Sequence, residues 1–531
     1  NTARVSAMRQ SFIEGAEWDY HVAEIDRLEA LTKDDVVAVA NKYFADDYAA
    51  VYRVNAPADI PLVEKPQIDP VNIDPTRQSE FAASVLAMDY APIEPDYVVA
   101  DEDYRVVEFV DGVELYYSPN PLNDLFTFSV NIEVGTESDE YLALSSALLE
   151  VAGTDTRSNA DLQKEWYRMG SEFRFRSGEN ASGIAVSGLD EQFEESLDLM
   201  MELIANPVTD DATLEQLKAI TLKSREDQMN SPAAIARALF LYNRYGEESP
   251  LLEALSSEEI LAAELGELLA KPAELLNFKH TLAYTGSLPL EDVVAILREH
   301  YPVAEELADT PPFRNRRARE ISESEVMVVD QQTAQAQVRI EFGDGLFNEA
   351  DTVDAQLYTS YFGSGMSSVV FQELREARAL AYSASAAYSQ GGRAEAQNMM
   401  LGVIGTQTDK TVDALDAFID LIDNMPTAEE RFQETANSLI NRYRTSKVSF
   451  REVINTVRRW EQLGLQGDPR RQRFAELQEA TMADMLQFQQ EHVANKPKLI
   501  SILGDLSIID TEELARFGTV QEMNSEDLFV Q

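Results

Sequence analysis

The feature that most restricts how this chain can fold is an internal repeat. Val130-Asn-Ile-Glu-Val-Gly135 reads like Val338-Arg-Ile-Glu-Phe-Gly343, an alternating strand pattern closed by a turn glycine, at an offset of 208 residues. Leu197–Pro207 matches Leu415–Pro426 at an offset of 218, with one extra residue before the second proline. Both of these stretches space leucine as a helix does, then run through Leu-Ile and Asn to Pro. Two copies of roughly 200 residues, differing by short indels, account for both offsets. Each copy reads strand, helix, helix, strands, several long helices and a final strand. This mixture predicts an α+β fold: two homologous domains, each a mainly antiparallel sheet with helices packed on one side.

The same grammar appears once more near the start. Thr32–Ala45 aligns without gaps on Thr481–Ala494, each opening on an N-cap threonine with apolar residues in step. Each continues into a short apolar strand, Ala49–Val54 and Lys498–Leu503. The second occurrence closes a copy, so residues 1–55 are expected to be the tail of a preceding domain, and the chain reads as a piece of a longer protein. Residues 56–100 carry seven prolines and little periodicity, the mark of an extended connector. The two full domains are then expected over 101–305 and 306–531, joined by a junction near Val303–Glu320 that contains Pro311 and Pro312.

Composition narrows the classes of function. Lys and Arg number 44 against 94 Asp and Glu, a net charge of −50, which opposes a phosphate backbone and excludes nucleic acid as a partner. The acidity has two readings, a negative chamber that prefers basic peptides or a solvated acidic surface of the kind found in saline habitats. No apolar run is long enough to predict a membrane span. The absence of cysteine rules out disulfides, thiolate metal sites and cysteine nucleophiles, and agrees with a periplasmic or cell-envelope setting.

The most specific segment is Tyr361-Phe-Gly-Ser-Gly-Met-Ser-Ser-Val-Val-Phe-Gln-Glu-Leu-Arg-Glu-Ala-Arg-Ala-Leu-Ala-Tyr-Ser383. It predicts a helix ending at a Gly-Ser-Gly turn, a second helix from about Met366 to Ala377, and a strand from near Leu380. Arg375 and Tyr382 then bring a guanidinium fork and a phenol hydroxyl to neighbouring positions, both able to donate to one carbonyl or oxyanion. The alternative is structural, with Arg375 on terminal helix carbonyls and Tyr382 packed in the sheet. The segment resembles the pitrilysin/insulinase family of inverted-zincin zinc metallopeptidases, specifically the C-terminal half of a two-half member. The resemblance implies that Arg375 and Tyr382 contact peptide substrate across a closed chamber. It also implies that an N-terminal catalytic half of the same protein binds the zinc cofactor, and that the substrates are unfolded peptides.

That chemistry needs His-x-x-Glu-His on one helix, which sets two imidazoles on one face with a general-base glutamate beside them. The chain has only His21, His280, His300 and His492, no two of them four residues apart. In the first full copy the expected helix, Tyr141–Ala152, runs into Gly153-Thr154, and the motif's position falls over Ala147–Val151. Apolar Ala147 and Val151 stand where the histidines belong, and Glu150 remains as a helix-surface acid. No catalytic residue and no metal are therefore expected in this chain, which alone is expected to be inactive. The sequon Asn180-Ala-Ser182 carries no weight. The alternatives are a non-catalytic structural or peptide-binding partner subunit of the same superfamily, and an acidic peptide-binding module with no hydrolase history.

Overall fold

The structure is a computed structural model that describes residues 2–44, 47–52, 79–89 and 91–531. It divides into two compact units, Asn1–Tyr90 and Ala91–Gln531.

The described part of the first unit is helical: Thr2–Glu14, Trp18–Val22, Glu24–Glu29, Lys33–Tyr43 and Glu80–Leu86. Thr32 caps Lys33–Tyr43 through a reciprocal box with Asp35, and Thr481 caps Met482–His492 through the same box with Asp484. The two helices differ in what covers them. Val36 and Val39 are exposed, whereas Met485 and Phe488, which align with them, are buried. Residues 49–52 form no strand, since nothing described in this unit offers a ladder, and 53–54 lie outside the described residues. Most of the proline-rich stretch also lies outside them. Within that stretch Ser79 caps a helix over Glu80–Leu86, in a segment free of proline.

The second unit holds two six-stranded mixed sheets with packed helices. The first contains β1 (Arg105–Val110), β2 (Val113–Pro119), β3 (Leu125–Ile132), β4 (Glu172–Ser177), β5 (Ser182–Leu189) and β6 (His280–Gly286), in the order β1-β2-β6-β3-β5-β4. The second contains β7 (Glu325–Asp330), β8 (Gln335–Leu346), β9 (Ser383–Ser389), β10 (Gln397–Gln407), β11 (Leu499–Gly504) and β12 (Thr519–Glu522), in the order β12-β7-β11-β8-β10-β9. Five strands correspond one to one, and the repeat of the sequence lands on equivalent central strands. Val130 on β3 pairs with Leu282, and Val338 on β8 pairs with Ile502. The repeated leucine stretches are the helices Phe193–Ala205 and Thr411–Asp423. The sheets differ at one edge: β1 joins β2 as an antiparallel hairpin, whereas β12 returns from the end of the chain to lie parallel to β7.

Each sheet buries its own helices on one face. Leu115, Phe128, Val130 and Leu282 line one such core, and Val338, Ile340, Ile500 and Ile502 the other. The opposite faces are covered by exchange. The helix Pro232–Tyr245, which follows β5 in the chain, lays Ile235 and Leu239 against Met327, Val329 and Leu503 of the second sheet. In return Val453–Gln462 lays Val453, Val457 and Trp460 against Tyr116 and Ala283 of the first. Polar groups fix the register of the first contact. Asn243 donates to the Ile500 carbonyl (2.9 Å) and to Ser501 Oγ (2.8 Å), and Arg244 pairs with the buried Glu341. The junction between the sheets has no regular structure, and its arginines hold it: Arg314 and Arg316 reach Glu137 and Glu253, and Arg319 reaches Glu325 (2.8 Å).

Candidate functional site

Tyr361–Ser383 forms a projecting turn beside β9. Gly363 sits so close to Ala386 that a β-carbon there would fall 2.0 Å from its carbonyl oxygen, and Gly365 has φ +88°. The second helix starts later than the expected Met366. Ser368 Oγ donates to the Gly365 carbonyl (2.8 Å) and accepts from the Phe371 amide (3.4 Å), so the turn is closed locally before helix begins at Val369. From Phe371 to Ala377 the backbone widens into a π-helix, a form that recurs at functional sites. Buried Leu374 anchors it, and Ala379, at φ +48°, turns the chain out again. Thr406 Oγ1 donates to the Leu380 carbonyl (2.6 Å) and the Tyr382 amide to the Gly405 carbonyl (2.9 Å), and regular strand begins at Ser383, three residues past the expected start.

This geometry brings Arg375 and Tyr382 together. The guanidinium carbon lies 4.7 Å from the Phe371 ring centre and 6.0 Å from that of Tyr382, within reach of cation–π attraction. Tyr382 is 73% exposed and so is not packed in the sheet. Arg375 is partly exposed, its nearest carboxylate being Glu376 at 3.7 Å. Both polar ends therefore face solvent, side by side.

The helix in the first sheet's domain is shorter than expected, Leu142–Leu149, with Glu150 as its C-cap. Asn159 Nδ2 takes up the carbonyls of Ala152 (2.9 Å) and Glu150 (3.4 Å), which ends it. The three motif positions are thus not on one helical face. Ala147 faces a cavity of about 550 Å³, while Glu150 and Val151 are exposed beyond the helix end. The face that looks into the cavity is Ala143, Leu144 and Ala147. Arg225, Arg314 and Arg316 also line it. These arginines were not singled out from the sequence, although Arg314-Asn-Arg-Arg-Ala-Arg319 is a conspicuous basic cluster in so acidic a chain.

The residues present do not fit a zinc ion. Among the described residues no three His, Cys, Asp or Glu side chains come together to hold a metal. The histidines are engaged elsewhere. His300 meets Asp198 (2.6 Å), His492 meets Asp344 (2.7 Å), and His21 meets Glu14 (3.5 Å). His280 is buried, its Nδ1 on the Phe278 carbonyl (2.7 Å) and its Nε2 on the Tyr301 hydroxyl (2.8 Å). Burial lowers the pKa of His280, so below about pH 6.5 the unfolded chain takes up a proton that the folded chain resists. Stability is expected to fall as pH drops below about 6.5, with this site contributing up to about 1.4 kcal/mol per pH unit. Urea unfolding across that window, compared with His280→Gln, checks it: the variant's slope should be shallower.

Residues 279–439 match the family model described as "Peptidase M16 inactive domain". Over that span, about a third of the chain, the sequence is similar to a peptidase M16 inactive domain. The M16 match begins at the foot of β6, crosses the junction and includes the segment carrying Arg375 and Tyr382. No curated protein matches the sequence. Among solved structures, the M16 inactive domain from Pseudomonas fluorescens aligns with TM-score 0.61 at 16% identity, covering 76% of this chain and 98% of that one. A protease from Helicobacter pylori gives 0.56 at 12%, covering 77% and 100%. The periplasmic protease PqqL from Escherichia coli gives 0.60 at 14%, covering 91% of this chain but 52% of its own length. At these identities the likeness is one of fold, and the fold is an M16-like domain pair. Among the described residues no helix is long and apolar enough to cross a membrane.

Proposed function

We propose that the chain is the C-terminal, non-metal-binding half of a zinc-dependent endopeptidase, closing a chamber over unfolded peptides while a separate N-terminal half holds the zinc. The observation that carries this reading is the pair Arg375 and Tyr382, exposed and adjacent on a turn whose backbone is specialised to present them. Their guanidinium and hydroxyl donors suit a substrate carbonyl on which negative charge develops, and they would reach it only on closure. Two further observations support it. The chain spans about half of PqqL, a periplasmic protease, which also suits a periplasmic or cell-envelope location. The exposed apolar face of Lys33–Tyr43 aligns with one that Met482–His492 buries against the helix Thr352–Phe362, as a domain of the other half would bury it.

The test is a fluorogenic-peptide assay of the chain alone and mixed with a zinc-binding N-terminal half. Activity only in the mixture, abolished by chelator, is expected; chelator-sensitive activity in the chain alone would overturn the assignment. A second reading, a non-catalytic structural or peptide-binding subunit, is favoured by the fold-level match to a structure described as an inactive domain, 98% of which is covered. It predicts a mixture in which the turn variants leave turnover unchanged.

A further inference from the structure

The cavity against the Leu142–Leu149 helix has a wall and a charge pattern that the reading above does not use. Ala143, Leu144, Ala147, Leu255 and Ile260 give it an apolar side. Its volume, about 550 Å³, lies in the range of small-molecule sites. On the polar side, Arg314 and Arg316 are neutralised by Glu137 and Glu253. Arg225 forms no ion pair among the described residues. It lines the cavity with no carboxylate in ion-pair range among those residues; its Nη1 is buried behind the wall, and burial depresses its pKa. The carboxylate that acts on it, Glu259, is already committed to capping Ser256, accepting from its amide and its hydroxyl at 2.7 Å each. An unpaired guanidinium at a cavity wall suits a ligand carboxylate, which would meet its cavity-facing side with a charge-assisted bond.

The remaining acids on the cavity point the other way. Glu140 and Glu179 line it, and neither has a cationic partner among the described residues. Burial and the surrounding carboxylates Glu259, Glu253, Asp139 and Glu137 raise the pKa of Glu140, a strain that a ligand cation would relieve. A simple anion would meet these acids, and a simple cation would leave Arg225 unpaired. Only a dipolar ligand answers both.

We infer that this cavity binds a short zwitterionic peptide, with the free carboxylate on Arg225, the free ammonium towards Glu140 and Glu179, and an aliphatic side chain against Leu144 and Ala147. The site lies within the second unit and does not depend on pairing with a catalytic half.

The test is isothermal titration calorimetry of the whole chain with the dipeptide Ala-Leu, its N-acetyl form and its C-terminal amide. Ala-Leu should bind at millimolar concentration or tighter, and each capped form should bind about tenfold or more weakly, the scale of one charge-assisted contact. Arg225→Gln should remove the penalty for amidation, and Ala147→Trp, which fills the cavity, should abolish binding. Absence of Ala-Leu binding to the unaltered chain, equal affinity for free and capped forms, or binding that survives Ala147→Trp would each overturn the site. The comparison of peptides needs no variant, so a misfolded substitution leaves it decisive.

Discussion

Arg375→Ala, assayed with a zinc-binding half present, is expected to lower kcat by about 10²- to 10³-fold, the scale of losing one preorganised oxyanion donor. KM should change little, because the interaction strengthens as charge develops rather than on binding. Tyr382→Phe removes one hydroxyl while keeping the ring beside the guanidinium, so its loss should fall in the same term and be smaller. Neither change should move the denaturation midpoint much, since Tyr382 is exposed, Arg375 makes no close ion pair and the turn is anchored by Leu374. Steady-state kinetics and urea unfolding on the same preparations separate the outcomes. Unchanged kcat with unchanged stability would remove the chemical role and leave the structural subunit reading.

The largest loss of stability is expected at Glu341. This carboxylate is 1% exposed and sits between Arg244 of Pro232–Tyr245 and Arg339 of its own strand, the latter at 2.8 Å. Burial disfavours the charge on Arg244, but Glu341 beside it outweighs that and raises the guanidinium's pKa. Glu341→Ala would leave two guanidinia facing each other out of water, a loss of about 3–5 kcal/mol by the usual cost of breaking a buried pair. Chemical denaturation checks it, and a loss near that of a surface substitution, within about 0.5 kcal/mol, would show that the pair is hydrated. Replacing Glu341, Arg244 and Arg339 together by apolar residues should recover much of the loss.

How much of this could be read from residues alone depended on the range of the interaction. Capping boxes are local, so Thr32 and Thr481 were legible, as were the Gly-Ser-Gly turn and the strand pattern at Val130 and Val338. The proximity of Arg375 and Tyr382 was legible too, because seven residues of turn carry it. The late helix start and the π-helix were not, because they arise from Ser368 and Thr406 competing for backbone groups. Periodicity marks Ile235 and Leu239, or Val453 and Trp460, as a buried face, but it does not say which sheet buries them. The cavity arginines escaped for the same reason: Arg225 and Arg314 are distant in sequence and meet only after folding.

The exchanged helices also bear on how the protein is made. Asn243 and the strand it grips are 257 residues apart in the chain. At about 5–20 residues per second, Pro232–Tyr245 emerges from the ribosome roughly 13–50 seconds before β11 exists. For that interval Ile235 and Leu239 lack Leu503 of β11, with only Met327 and Val329 of β7 arriving earlier, and the first sheet's other face awaits Val453–Gln462. The nascent chain therefore passes through a long window in which part of its apolar surface is uncovered and prone to aggregation.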